Sequence, residues 1–232
     1  MTKINSKDFD FVIFDFDGVL VNSTPLKTQI FLDSISEFSE KEKKEFIEYH
    51  KFHGGVSRWG KFDYFLRNII KLENENEIKS KTELLVSRFT TFIADALELL
   101  ELTEGSLSLL QTLKKTGKKC FIVSGAAETE VQAIVKRTNI EEYFEAVLGS
   151  PKNKKQNLNS LKEHGKIKGK GIFIGDSYTD YQSAIDFKMN FIFMKDFTEW
   201  EDRKDVEDHF YLTVGNLNEL NNIITKDNEA RK

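Results

Sequence analysis

The sequence holds one cysteine, Cys120, in 232 residues, which excludes an internal disulfide. It holds two prolines, so long stretches are free to be helical. No run of about 18 uncharged apolar residues occurs, so no membrane span and no membrane partner are expected. The stretch from Met1 to Phe16 lacks a basic region, a long apolar region and a small-residue cleavage site, so no secretory leader is read there. Together with the missing disulfide, that makes the cytoplasm the expected location. There is no basic excess either. Against 38 Asp and Glu stand 34 Lys and Arg, a net charge of −4, which weighs against a nucleic-acid partner. What the chain does have is 39% hydrophobic residues, with 20 Phe among them. That supports a Phe-rich core in one large domain, or in a medium domain carrying an inserted smaller one.

Five short apolar runs end on polar turns, the pattern of buried strands. Phe9 to Phe14 runs into Asp15, and Cys120 to Val123 ends at Ser124-Gly125. Ala146 to Leu148 ends at Gly149-Ser150, Gly171 to Ile174 at Gly175-Asp176, and Phe191 to Met194 at Lys195-Asp196. Helical periods separate them, for example Leu107, Leu109, Leu110 and Leu113, then Val131, Ile134 and Val135. Strand–helix alternation predicts an α/β fold: a Rossmann-like parallel sheet with helices on both faces. The interval from Thr24 to Glu104 differs. It shows only helix-period patterns (Ile30, Phe31 and Ile35; Phe62, Phe65, Leu66 and Ile69; Leu84 to Leu97), broken at Gly54-Gly55. It reads as a helical insertion, giving a core of residues 1–22 and 106–232 and a cap of residues 23–105. The polar tail after Thr225 is expected to fray.

Four polar clusters fall at predicted strand ends, the edge where open α/β sheets bind ligands. They are Asp15-Phe16-Asp17-Gly18-Val19, Ser124-Gly125, the lysines at 152, 154 and 155, and Gly175-Asp176-Ser177-Tyr178-Thr179-Asp180. Several carboxylates packed together raise one another's pKa values, a conflict that a hard divalent cation removes. Magnesium prefers oxygen ligands and sits between carboxylates and substrate phosphate. Asp15 and Asp176 are its natural ligands here, with the Asp17 backbone carbonyl a further one. A free oxygen of Asp15 can then attack phosphorus and form an acyl phosphate. Asp17, two residues on, can protonate the leaving alkoxide and later activate water. Ser124 and the N–H groups after it, beginning at Gly125, can hold phosphoryl oxygens, while a lysine adds positive charge.

These clusters, in this order, resemble the four motifs of the haloacid dehalogenase superfamily, and the helical insertion stands where that family's type-1 cap stands. The resemblance spans nearly the whole chain. It implies Asp15 as nucleophile and metal ligand, Asp17 as acid/base and backbone ligand, and Asp176 as metal ligand. Asp180 is implied at the metal site too, orienting the lysine or a metal-bound water. Lys154, with Leu158 four residues on, fits the motif lysine, followed by Lys155 and then Lys152. The halogen- and phosphonate-cleaving branches lack an aspartate two residues after the nucleophile, so Asp17 points to phosphate esters. Gly55-Val56-Ser57-Arg58 resembles a cap segment of the β-phosphoglucomutase group, in which the arginine holds the phosphate that is not transferred; a guanidinium fork suits that task. That group commonly has a histidine twelve residues after the nucleophile, where this chain has Lys27.

The expected activity is therefore magnesium-dependent hydrolysis of a small phosphorylated metabolite, such as a sugar phosphate. A phosphomutase is the alternative, and a receiver-like phospho-accepting domain is a third reading from another class. The sequence does not fix an oligomeric state. Plainer readings exist for single residues. Asp is common in turns after strands. Arg58 can simply pair with an acidic side chain. His50 and His53 lack a third residue at metal-ligand spacing. Trp59 and Phe62 read as cap core, and Cys120 as an inert core residue. A site between core and cap must open and close, with hinges expected near Val21–Thr24 and Leu102–Ser106.

Overall fold

The structure, a computed structural model, describes residue 4 and residues 6–229. Residues 1–3 and 5 of the stretch read for a leader, and 230–232 of the polar tail, lie outside the described residues. The tail is helical as far as Glu229.

Six strands form one sheet: β1 (Phe11–Phe14), β2 (Lys119–Ala127), β3 (Phe144–Ser150), β4 (Gly171–Gly175), β5 (Asn190–Met194) and β6 (Leu212–Val214), in the order β3-β2-β1-β4-β5-β6. Every pairing is parallel. β1 is buried at all four positions, which is why it reads as a continuous apolar run rather than an alternation. One face carries Val12, Phe14, Ile122 and Ile174 against Leu109, Val131 and Leu220. Those three come from helices α5 (Ser106–Lys115), α6 (Glu128–Arg137) and α9 (Leu217–Glu229). The other face carries Ile13, Phe121 and Phe173 against Leu158, Tyr181 and Trp200. Helices α7 (Lys154–Glu163) and α8 (Tyr178–Asp186) supply the first two of these.

Between β1 and α5 the chain forms α1 (Thr24–Ser34), α2 (Glu40–Phe52), α3 (Arg58–Tyr64), one π-helical turn (Phe65–Ile69) and α4 (Glu75–Leu97). These pack a separate core around Phe31, Phe46, Phe62, Phe65 and Phe89. The Phe31 ring lies 4.4 Å from that of Phe89 and 5.3 Å from that of Phe62. Side chains set the helix starts. Ser39 and Glu42 form a reciprocal capping box at α2, and Asn74 accepts from Asn76 and Glu77 N–H at α4. The two crossings to the core run side by side, with Val21 bridged to Leu102 and Thr103 N–H donating to Leu20 O at 2.9 Å. No helix is long and apolar enough to cross a membrane among the described residues.

Three expectations needed correction. β6 was not foreseen, because three residues carry too little periodicity to register. β2 does not stop at Val123; it continues to Ala127, with irregular pairing between Val123 and Ala127, so Ser124-Gly125 lies in a disturbed strand end rather than a plain turn. Trp59 is 45% exposed and lies outside the cap core, whereas Phe62 is fully buried.

Candidate active site

The sheet order reverses between β1 and β4, and the crevice beyond that point is where doubly wound sheets bind ligands. Asp15 follows β1 and Asp176 follows β4. The pairing of Phe14 with Ile174, and the hydrogen bond from Asp15 N–H to Ile174 O at 2.9 Å, hold them level. Asp15 Oδ1 accepts from the N–H of Phe16 at 2.7 Å, and Oδ2 lies 2.9 Å from Lys154 Nζ. Gly18 is left-handed (φ +73°), and a Cβ there would come within 2.1 Å of Asp176 Oδ2. Glycine at 18 thus meets a steric need of the carboxylate beside it.

Lys154 opens α7, whose start is fixed by a capping box between Asn153 and Gln156. Its buried ammonium reaches both Asp15 and Asp180. Lys155 instead pairs with the exposed Asp186, and Lys152 is exposed. Asp180 is the third residue of α8. Its Oδ2 accepts from Ser177 N–H (3.1 Å) and Ser177 Oγ–H (2.5 Å), while Oδ1 faces Lys154. Both oxygens of Asp180 are therefore in use. The Asp176 carboxylate is buried and accepts no hydrogen bond among the described residues. One carboxylate oxygen each from Asp15, Asp176 and Asp180 lies within 4.8 Å of the others.

The electrostatics follow from this crowding. Burial, then the charge of Asp180, push Asp15 up to about 7 against the pull of Lys154. Burial and the charges of Asp15 and Asp180 hold Asp176 well above the usual carboxylate range. Burial would depress Lys154, but Asp15 and Asp180 more than offset it and raise it. Asp17 lies between core and cap. Its Oδ1 accepts from Lys27 Nζ at 2.5 Å and from Ser23 Oγ. Burial alone would raise Asp17, yet Lys27 and Ser23 hold it below the ordinary value. Four carboxylates (Asp15, Asp17, Asp176, Asp180) thus meet two ammonium groups (Lys27, Lys154), an excess of two negative charges. Two clustered carboxylates without full compensation fit a hard divalent cation, which Asp15 and Asp176 would hold.

The helical insertion packs directly on this edge. A Cβ on Gly125 would lie 2.3 Å from the carbonyl oxygen of Gly55, and one on Gly55 would lie 3.0 Å from Lys154 Nζ. Those two glycines allow cap and core backbones to touch. The cavity between them is lined by Asp15, Asp17 and Asp176 from the core and by Lys27, Arg58 and Lys61 from the cap. Arg58, expected to meet a substrate phosphate, is buried with its guanidinium on Glu130 of α6, 3.1 Å from Thr90 Oγ1 and 4.4 Å over the Phe89 ring. Ser124 is fully buried, and its Oγ accepts from Ala126 N–H at 3.0 Å. Cys120 is buried and its thiol is pushed up to about 12, which leaves it inert.

A polar chain on the cap side was not foreseen. The Glu199 carboxylate can only accept, so Thr28 spends its single proton there (Oγ1 to Oε2, 2.7 Å). His50 Nε2, 2.9 Å from Thr28 Oγ1, must therefore donate. Burial, then Lys61, hold His50 well below its usual pKa, so the ring is neutral and Nδ1 accepts from Lys61 Nζ at 2.7 Å. Lys61 lies three residues after Arg58 in a short helix, and no periodicity marks it. Glu199 did leave a signal: it lies just past β5, on the same sheet edge as the other clusters.

The family profile described as haloacid dehalogenase-like hydrolase matches residues 12–194. Among solved structures, a predicted phosphatase from Clostridium acetobutylicum aligns with a TM-score of 0.73 at 18% identity, covering 94% of this chain and 99% of its own. A predicted phosphoglycolate phosphatase from Haemophilus somnus 129pt gives 0.68 at 18%, covering 93% and 98%. A proposed β-phosphoglucomutase from Bacteroides vulgatus gives 0.71 at 18%, covering 97% and 91%. At such identity the likeness speaks for the fold. No curated protein matches the chain significantly.

Proposed function

Because the chain belongs to the haloacid dehalogenase-like hydrolase family, we propose that it is a magnesium-dependent phosphohydrolase that acts on a small phosphorylated metabolite through a phosphoaspartyl intermediate on Asp15. The observation that carries this reading is the imbalance at the sheet edge: two more carboxylates than ammonium groups, with the buried Asp176 carboxylate left without a hydrogen bond among the described residues. Magnesium held by Asp15 and Asp176 would favour the ionised form of both and offset charge on the transferring phosphoryl group.

The chain's own residues do the rest. An Asp15 oxygen attacks phosphorus, the bond to the leaving oxygen breaks with its electron pair on that oxygen, and the oxygen takes a proton from the Lys27 ammonium held by Asp17, a proton that the attacking water returns through Asp17 in the hydrolytic half. Lys154 holds Asp15 in place and adds positive charge at the transferring group. The backbone N–H of Gly125, at the irregular end of β2, would meet a phosphoryl oxygen, while that of Ala126 is held by Ser124 Oγ. Asp17 and Lys27 form the proton-handling pair. Lys27 keeps Asp17 ionised, the form that takes a proton from water when the acyl phosphate is hydrolysed. Asp180 acts through others: one oxygen caps α8 and the other positions Lys154. The phosphomutase reading needs an arginine free for a second phosphate, and the Glu130–Arg58 pair speaks against it. The receiver reading leaves unexplained a cap that encloses the site. The adjoining crossings at Val21 and Leu102 would be the hinge on which that cap, residues 23–105, opens.

The test is hydrolysis of 4-nitrophenyl phosphate. Turnover should require magnesium, stop with chelator and fall roughly 10³-fold or more in Asp15→Asn. Full activity in Asp15→Asn would refute the assignment. Release of an isomer with little free phosphate from a sugar phosphate would favour the mutase.

A further inference from the structure

Lys61 is 2% exposed, and its ammonium meets only neutral groups: His50 Nδ1 at 2.7 Å, His50 O at 3.3 Å and Gly54 O at 3.4 Å. No carboxylate lies within 4.0 Å of it among the described residues. A buried charge without a counter-charge is costly, so cations in protein interiors are ordinarily paired. The remaining cavity cations are accounted for. Lys27 is paired with Asp17, Arg58 with Glu130, and Lys51 is half-buried at the margin. Burial pushes Lys61 down to about 7, and the charge of Glu199, with smaller pulls from Asp17 and Asp176, opposes that only in part.

We infer that the substrate's leaving group carries a second anionic group, a carboxylate or a further phosphate, and that Lys61 binds it. This rests on the phosphohydrolase reading and refines it. Three features support it. Lys61 lines the same cavity as Asp15, Asp17 and Asp176, on the opposite wall. The chain through His50 and Thr28 to Glu199 fixes the lysine without an ion pair, because Glu199, whose charge favours the ammonium from a distance, stands at the far end. Two of the Lys61 contacts, to the carbonyls of His50 and Gly54, are long, 3.3 and 3.4 Å, and the Phe31 ring, 5.2 Å from Nζ, offers no counter-charge. An anion entering the cavity can take over one of those weakly held N–H groups in a charge-assisted hydrogen bond.

The experiment compares 2-phosphoglycolate, a phosphorylated carboxylate, and fructose 1,6-bisphosphate with two esters of neutral leaving groups, glucose 6-phosphate and 4-nitrophenyl phosphate. Wild-type kcat/KM should be at least tenfold higher on one of the anionic pair, and which one identifies the anion. Lys61→Met should lower kcat/KM on that substrate at least tenfold more than on 4-nitrophenyl phosphate, chiefly through KM, and Lys61→Arg should restore part of the loss. The wild-type comparison needs no variant, so it decides even if Lys61→Met fails to fold. Asp15-dependent hydrolysis without preference for an anionic leaving group, or equal losses on all esters in Lys61→Met, would overturn this inference alone. Absence of hydrolysis on every ester would overturn the phosphohydrolase reading with it.

Discussion

The two walls of the cavity each hold a buried lysine, and the two lysines stand in opposite electrostatic states. Lys154, on the sheet edge, touches Asp15 and Asp180, and those carboxylates raise its proton affinity despite burial. Lys61, on the cap, touches an imidazole and two carbonyls, and burial lowers it to about 7. Residue type and burial are the same, so the partner decides the outcome. The sheet edge carries surplus negative charge and calls for a cation. The cap wall holds an ammonium with no carboxylate within 4.0 Å among the described residues, which leaves a place for an anion. Under the proposed function, a phosphate ester with an anionic leaving group, held together with a divalent cation, would satisfy both.

The comparison can be broken at Lys154 first. Lys154→Met leaves Asp15 and Asp180 buried without their cation, at a cost of about 3–5 kcal/mol in stability. It should also lower kcat about 10²–10³-fold, because a charge aimed at the transition state is lost. Thermal melting with and without substrate-level magnesium checks the first part and steady-state kinetics the second. Retained stability and activity would mean that the close ammonium–carboxylate contacts do no work.

Magnesium is the next lever. At a hundred times its dissociation constant it should stabilise the protein by about 2.7 kcal/mol, read as a higher melting temperature that chelator reverses. The gain should be larger at pH 8 than at pH 5. Asp15 and Asp176 have raised values, with Asp15 at about 7, so both carry protons at the lower pH that the metal must displace. Asp176→Asn should abolish most of the gain. An equal effect of magnesium at both pH values would contradict the assigned ligands.

Lys61→Met should act in the opposite sense to Lys154→Met and stabilise the protein by about 1–3 kcal/mol at pH 6, since it removes an uncompensated buried cation. Lys61 has a folded value depressed to about 7 from 10.5. Its contribution is therefore most favourable above the unfolded value and is lost as pH falls through the folded one. The advantage of the Met variant should accordingly shrink as pH rises from 7 toward 10.5, which melting curves across that range will show. Loss of stability at pH 6 would mean that the ammonium has an opposite charge after all. The smallest effect belongs to Lys155→Met. Its pair with Asp186 is exposed on both sides, so stability should move by less than about 0.5 kcal/mol.

How much of this could be read from the chain depended on what kind of interaction made each feature. β1 was legible because a strand buried on both faces must be apolar throughout, and Asp15 because it ends such a run. The Phe-rich cap was legible from its helical period, apart from faces such as Phe92, 47% exposed, which period alone cannot orient. β6 was lost because its three residues pair only with β5 and carry no pattern of their own. Lys61 and Glu130 were illegible for a deeper reason. Lys61 meets His50 of the neighbouring inserted helix, 11 positions away, and Glu130 meets Arg58 across the contact of insertion and core, 72 positions away, and charge spacing along one helix reports neither. Arg58 was noticed, but its partner decides its use, and only the three-dimensional packing shows Glu130.

The central claim is that phosphate passes through Asp15. The direct measurement is rapid acid quenching of the magnesium-loaded enzyme during turnover of 4-nitrophenyl phosphate, followed by peptide mass spectrometry. One phosphoryl group on the peptide that contains Asp15, labile at high pH and absent from Asp15→Asn, is the predicted result. Steady turnover with no phosphoryl group on that peptide, or the same turnover in Asp15→Asn, would contradict the account.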